Sequence, residues 1–287
     1  MAMTIAQAGS GGPGGFARHL REWRLKRRLS QLELALTSGV SQRHVSFLES
    51  GRANPSRTMV LQLSESLDVP LRERNAWLTA AGFAPVFQTR GLEDPQMAQV
   101  MGAVRMMLAA HEPFPAVALD RSWNVRMANA AFERLGALFG ADIWDRVGGD
   151  PPNLMRLFFH PAGIRPFITN WAAVGPLIWR RALREADAVG GQEMKAVLDA
   201  LAPLQDEDLL WSPADTALVP VMPFDLQVHG RNLSMFAVVA TFGTAQDVTA
   251  DELRIESLFP ADAATEALFR AAAPGGAGAP DPSGVQA

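Results

Sequence analysis

Gln42 and Arg43 stand side by side just after Ser41 in the stretch LSQLELALTSGVSQRHVSFLESG, residues 29–51. Both side chains form bidentate hydrogen bonds with planar polar edges, Gln with adenine and Arg with guanine. His44 follows, a base-edge neighbour, a phosphate contact or a bystander. Ser46 and Phe47 lie further along, and Phe47 suits either a thymine methyl group or packing. Such side chains need a helix that carries them outward. Ser41 is placed to cap one, Gly39 breaks the helix before it, and Gly51 ends it. Ser30-Gln31-Leu32-Glu33 forms a capping box that starts the preceding helix. Two short helices joined at a glycine turn present the second as a convex rod, the shape a DNA major groove admits.

Other chemistry is poorly provided for. Cys is absent, which removes disulfides, thiolate nucleophiles and cysteine-bound metals. The 5 His residues, at 19, 44, 111, 160 and 229, form no i, i+4 pair and no metalloprotease motif. His160 precedes a proline and reads as a turn residue, not as a haem ligand. Asp206, Glu207 and Asp208 precede Leu209-Leu210-Trp211, where they suit the N-terminal dipole of a helical turn better than a catalytic pair. No phosphate-binding glycine pattern appears. The chain is therefore expected not to be an enzyme, and to carry neither metal nor cofactor.

The charge is divided along the chain. The whole carries −4, but residues 16–82 hold 11 Lys+Arg against 6 Asp+Glu, or +5, which leaves −9 for the rest. Only the N-terminal part is suited to approach a polyanion. The start lacks a signal peptide pattern, and no apolar run approaches the roughly 18 residues of a membrane span. A cytoplasmic protein without membrane contact is expected.

Gly-rich residues 1–15 and the Gly- and Pro-rich residues 271–287 are expected to be disordered. Residues 16–85 read as a compact all-α unit of five short helices, the fourth capped by Ser56 and the fifth running from about Leu71 to Gly82. The first carries Leu20, Trp23, Arg24 and Arg27, and Lys26, Arg27 and Arg28 read as a solvated basic face. Residues 86–96 read as a linker and 97–265 as a second domain. There, PAVALD (115–120) and WNVRMA (123–128) suggest paired strands, and Asn129 caps a following helix. Residues 153–211 are mostly helical in pattern. LVPVMPFDLQVHG and NLSMFAVVATF suggest a hairpin turning at His229-Gly230-Arg231. Thr249-Ala250-Asp251-Glu252 reads as a capping box opening a helix over ELRIESLF. The fold class is α+β, with an antiparallel sheet covered by helices in the second domain.

Ser30-Gln31, Ala35, Gly39-Val40-Ser41-Gln42, Val45-Ser46, Leu48-Glu49, Gly51-Arg52 and Pro55 together resemble the phage-repressor-like (Xre-type) helix-turn-helix family over residues 18–82. The resemblance implies that Gln31 bonds phosphate at a helix N-terminus. It also implies phosphate contacts from Arg52 and Asn54 and an internal ion pair between Arg24 and Glu49. With Ser41, Gln42, Arg43, His44, Ser46 and Phe47, these make up the candidate DNA-binding set. One module covers few base pairs, so a homodimer on a near-palindromic double-stranded operator is expected.

LDRSWNVRMANAAFERLGALF (119–139) resembles the opening of a PAS-type sensor. With the helical middle and the late PFDL and FAVVATFG runs, residues 100–265 are similar to the MmyB-like ligand-binding domain. Asn129 matches the PAS asparagine, with capping as its expected job. The candidate ligand lining is apolar: Met107, Phe114, Met127, Phe132, Trp171, Met222, Phe224 and Met235, to which Met106, Trp179 and Phe236 are further candidates. Such a lining suits a small apolar guest, a fatty-acyl chain for example, though each residue also suits plain core. Polar anchors could come from Arg126, His160 or Arg165. The sequence thus points to a transcription regulator that binds specific DNA and senses a small apolar ligand. In the alternative, the second domain is only a dimerisation or protein-interaction platform, and a filled core without a cavity would favour it.

Overall fold

The computed structural model describes residues 13–189, 192–205 and 220–273. The chain divides into two compact units: Met1–Arg90 with Thr244–Asp251, and Gly91–Gly243 with Glu252–Ala287. The second sequence block is therefore not one continuous structural piece.

The first unit holds α1 (Pro13–Lys26), α2 (Gln31–Ser38), α3 (Gln42–Glu49), α4 (Arg57–Ser66) and α5 (Leu71–Ala80). Helix α1 already begins at Pro13, inside the stretch expected to be disordered; Phe16 and Leu20 anchor it in the core. The punctuation works as the residue types dictate. Ser30 Oγ accepts from the Glu33 amide at 3.1 Å, and the Ser30 amide donates to the Glu33 carboxylate at 2.6 Å. Gly39 takes the left-handed conformation, φ 68°, which ends α2 without a side-chain penalty. Ser41 and Ser56 cap α3 and α4. Leu34, Val45, Leu48, Val60, Leu63 and Trp77 then meet in one core. Residues 244–251 complete this unit. The Asp247 carboxylate accepts from Arg90 Nη1 at 2.8 Å, and Thr249 Oγ1 donates to the Arg90 carbonyl at 2.6 Å.

The second unit contains α6 (Ala98–Ala110), β1 (Ala116–Leu119), β2 (Val125–Ala128), α7 (Ala130–Ala137), α8 (Ile143–Val147), α9 (Leu154–Phe159), α10 (Trp171–Val189) and α11 (Gln192–Leu201). After residues 206–219, where the carboxylates of Asp206–Asp208 and Trp211 lie outside the described residues, come β3 (Phe224–Val228), β4 (Arg231–Thr241), α12 (Val248–Glu252), β5 (Arg254–Pro260) and α13 (Ala263–Ala271). Of α12, only Glu252 belongs to this unit. The five strands form one antiparallel sheet in the order β2-β1-β5-β4-β3. The β3–β4 hairpin turns through His229 and Gly230, both at positive φ, 49° and 75°, as a two-residue type I′ turn requires.

Two expectations are corrected. ELRIESLF is not a helix but strand β5, at the centre of the sheet between β1 and β4. Pairing along both edges outweighs the local capping signal, and the residue that caps α12 is Asp247, which accepts from the amides of Thr249 and Ala250. The strand pair 115–128 is shorter than its sequence pattern. Trp123 is not part of a strand; it is buried in the turn before β2 at φ 65°, a conformation uncommon for a bulky side chain.

Alternation sorts the sheet's faces. Val117 and Leu119 of β1 enter the larger core, whereas Ala116 and Ala118 meet Val104 and Leu108 of α6. Ile255 of β5 joins the α6 side, so Glu256 and Leu258 include the residues of opposite parity that face away from it. Asn129 caps α7 through Phe132, and also accepts from the Ala116 amide and donates to the Phe114 carbonyl. Gly163 closes the turn after α9: a Cβ there would collide with the Leu157 carbonyl oxygen and lie 3.1 Å from that of His160. Gly163→Ala is expected to destabilise the second unit by about 1–3 kcal/mol through forced backbone displacement. Urea unfolding checks it, and an unchanged midpoint would refute it.

Candidate nucleic-acid interface and ligand cavity

Helix α3 buries Val45 and Leu48 and leaves Ser41, Gln42 and Arg43 exposed at its start. Neither the Gln42 nor the Arg43 side chain has a hydrogen bond among the described residues, so their donors are open to another molecule. The Arg43 guanidinium lies over the Phe47 ring, 5.2 Å from its centroid. Phe47 therefore packs as a platform for Arg43. His44 is half-buried, and its Nε2 lies 3.1 Å from Met59 Sδ, which turns it toward α4. Ser46 is half-buried, and Arg52 and Asn54 are exposed in the loop after α3.

The element is held from behind. Arg24 grips the Glu49 carboxylate through two bonds of 2.6 and 2.9 Å and donates to the Leu29 carbonyl at 2.7 Å. Gln31 Nε2 donates to the same carboxylate at 2.8 Å. Burial pushes the Glu49 carboxyl up, but the hydrogen bonds from Arg24 and Gln31 and the charge of Arg24 outweigh it and hold the group below the usual carboxylate range. The cluster fixes α1, α2 and α3 in one register. Arg27 is not simply solvated: its Nε donates to the Leu67 carbonyl at 2.8 Å, at the C-terminus of α4.

The second unit contains a partly open cavity of about 230 Å³. Its wall is apolar, with Trp123, Phe132, Phe139, Trp144, Phe224 and Leu258 among its residues, and among the described residues its ionisable members are Arg181 and Glu256. Of the sequence candidates, the structure brings Phe132, Met222 and Phe224 to this wall. The others lie elsewhere. Met106 and Met107 are exposed on α6. Met127 packs against the α6 cluster, and Met235 is fully buried core. Phe114 meets Phe269 at 6.1 Å, and Phe236 stacks on Phe259 at 5.7 Å. Trp171 and Trp179 each lie 5.0 Å from Phe159. The proposed anchors are engaged too. Arg126 pairs with Asp120 at 2.6 Å, His160 Nδ1 accepts from the Ala162 amide at 3.1 Å, and Arg165 lies 5.2 Å over Trp171.

The residues that sequence reasoning missed form a network at the cavity. Arg181 Nε donates to Glu185 at 2.8 Å and its Nη2 to Glu256 at 2.7 Å. Arg254 Nη1 donates to Glu185, and Trp123 Nε1 donates to Glu185 at 2.8 Å. The guanidinium carbons of Arg181 and Arg254 lie 4.8 and 4.4 Å from the centre of the Trp123 ring. Burial raises the Glu185 carboxyl, yet Arg254 and Arg181 more than offset it and leave it below the ordinary range. Burial likewise pulls Arg181 down, and the charges of Glu256 and Glu185 reverse the shift.

The comparison with known families agrees with this architecture. Residues 100–272, more than half of the chain, match the MmyB-like transcription regulator ligand binding domain. The chain belongs to that family. Residues 20–74 match the helix-turn-helix family, so this MmyB-like regulator joins a helix-turn-helix DNA-binding unit to an MmyB-like ligand-binding domain. Among solved structures, a helix-turn-helix transcriptional regulator from Vibrio cholerae is 22% identical over 23% of this chain, with a TM-score of 0.21. The regulator spans 36% of that protein's length. The restriction-modification controller protein C.AhdI from Aeromonas hydrophila is 37% identical over 22% of this chain and 94% of its own, with a TM-score of 0.21. An RNA-binding light-oxygen-voltage receptor is 14% identical over 89% of this chain and 61% of its own, with a TM-score of 0.24. No curated protein matches the chain. Among the described residues, no helix is long and apolar enough to cross a membrane, and no cluster of three or more His, Asp or Glu could hold a metal ion.

Proposed function

We propose that the MmyB-like regulator reads operator DNA with the first turn of α3 and that a small apolar guest in the second unit's cavity tunes this binding. The observation that carries the reading is the cavity itself, an apolar space of about 230 Å³ in a domain that, as a mere platform, would have a filled core. Gln42 and Arg43 contact base edges; Gln31, Arg52 and Asn54 contact phosphate. Phe47 supports Arg43, and His44 is held toward α4. The regulator binds as a homodimer on two half-sites roughly 34 Å apart. The guest alters DNA affinity to the extent that it prefers the DNA-binding conformation.

Arg43→Ala is expected to cost roughly 1–3 kcal/mol at the specific site and to relax the preference at one base position. Fluorescence anisotropy with the selected operator and its single-base variants checks this. Intact affinity in the variant would place base reading elsewhere. Operator affinity measured with and without a saturating guest tests the sensing half, and equal affinities would reject it.

A further inference from the structure

The chain passes between its two units after Arg90, after Gly243 and after Asp251. The first passage leads to α6, which supplies none of the cavity's described wall. The other two bound residues 244–251, which follow β4 and precede β5. Those strands supply Ala237, Glu256 and Leu258 to the wall. Segment 244–251 is thus continuous with the cavity's strands at both ends, yet it folds as part of the helix-turn-helix unit.

Within that unit the segment is held by named bonds. Arg90 Nη1 donates to Asp247 at 2.8 Å, and the Arg90 carbonyl accepts from Thr249 Oγ1 at 2.6 Å. The Val248 amide donates to the Gln88 carbonyl at 2.8 Å. The Asp251 carboxylate accepts from the Leu71 amide at 3.3 Å, at the start of α5, where Pro70 has no side-chain acceptor to offer. Trp77 of α5 lies in the same core as Val45 and Leu48 of α3. Helix α12 ends in the other unit, where Glu252 pairs with Arg121 at 3.5 Å and buried Leu253 leads into β5.

We propose that residues 244–251, clamped by Arg90, are the element through which an occupied cavity changes operator binding, an inference that rests on the cavity being a ligand site that tunes DNA affinity. Strand β5 is paired along both edges, so a displacement of Glu256 or Leu258 by a guest is carried along the strand to α12. The clamp has two arrangements, closed and released. The guest shifts their balance to the extent that it fits one better. Arg90 and Thr249 are positioning residues, since neither belongs to the DNA-reading set or to the described cavity wall.

Arg90→Met, which keeps the Asp247 carboxylate as the cap of α12, tests the proposal in the full-length protein. The probe is decanoate, with its binding followed by calorimetry. Fluorescence anisotropy follows affinity for the site that the wild type selects from random DNA. Saturating decanoate is expected to change wild-type operator affinity by about fivefold or more. In Arg90→Met the change is expected to fall below about twofold, while decanoate and guest-free operator affinities stay within about threefold of wild type. Operator DNA should reciprocally change decanoate affinity in the wild type and not in the variant. Full coupling in the variant would overturn the clamp and leave the sensing reading intact. A wild type that binds no decanoate, or whose operator affinity ignores it, would overturn the sensing reading and the clamp with it. If Arg90→Met fails to fold, Thr249→Val, which removes one bond, decides: reduced coupling supports the clamp and undiminished coupling overturns it.

Discussion

Glu49→Ala is expected to lower the stability of the helix-turn-helix unit by about 3–5 kcal/mol, the cost of breaking a buried ion pair from one side. The Glu49 side chain is 5% exposed and that of Arg24 10%, so the pair is largely shielded from water in the folded protein. The substitution strands the Arg24 guanidinium and removes the acceptor of Gln31. Arg24→Met combined with Glu49→Leu removes both charges and is expected to recover much of the loss, since apolar replacements of buried pairs are often neutral or better. Acid acts on the same group. The folded-state pKa of Glu49 lies below its unfolded value, so its contribution is present above the ordinary carboxylate range and is lost as the pH falls through the folded value. Glu49→Ala removes this contribution, so the variant should lose less stability on acidification. Urea unfolding of both proteins at neutral and acidic pH checks both statements; equal stability at neutral pH would show that the pair does not hold the unit together.

Trp123→Ala is expected to cost the ligand-binding domain about 3–5 kcal/mol, the usual range for truncating a buried tryptophan. The indole is 2% exposed. It walls the cavity, donates to Glu185 at 2.8 Å and lies beneath two guanidinium groups. Relief of backbone strain offsets part of the loss, because alanine tolerates φ 65° somewhat better than a bulky side chain does. Calorimetric unfolding measures the change. A loss below about 1 kcal/mol would mean that the network does not depend on the ring.

The helix-turn-helix unit was legible in sequence because its signals are local. A capping box, a left-handed glycine and two further serine caps fix four helix boundaries within 28 residues of chain, and each operates as its residue type requires. The implied Arg24–Glu49 pair is present. The cavity was only partly legible. Phe132, Met222 and Phe224 reach its wall, but methionine content pointed equally to Met106 and Met107, which α6 turns to the surface. The polar pair was out of reach because Arg181 and Glu256 are 75 positions apart and meet only once the sheet forms. Reading ELRIESLF as a helix hid Glu256 further, since only a strand's alternation sends it to the cavity face while Ile255 packs against α6. Residues 244–251 were equally hidden. They belong to the first unit through Arg90, so a fragment cut near residue 90 would lack part of that unit.

Base reading by the first turn of α3 is therefore best tested in the full-length chain. Random double-stranded DNA is offered to the wild type and to Gln42→Ala/Arg43→Ala, with bound sequences recovered at physiological salt and the variant's folding verified by circular dichroism. The wild type is expected to enrich one near-palindromic site, and the folded variant to retain only weak, sequence-independent binding. Enrichment of the same site by the variant, at similar affinity, would contradict the assignment of α3 as the element that reads DNA.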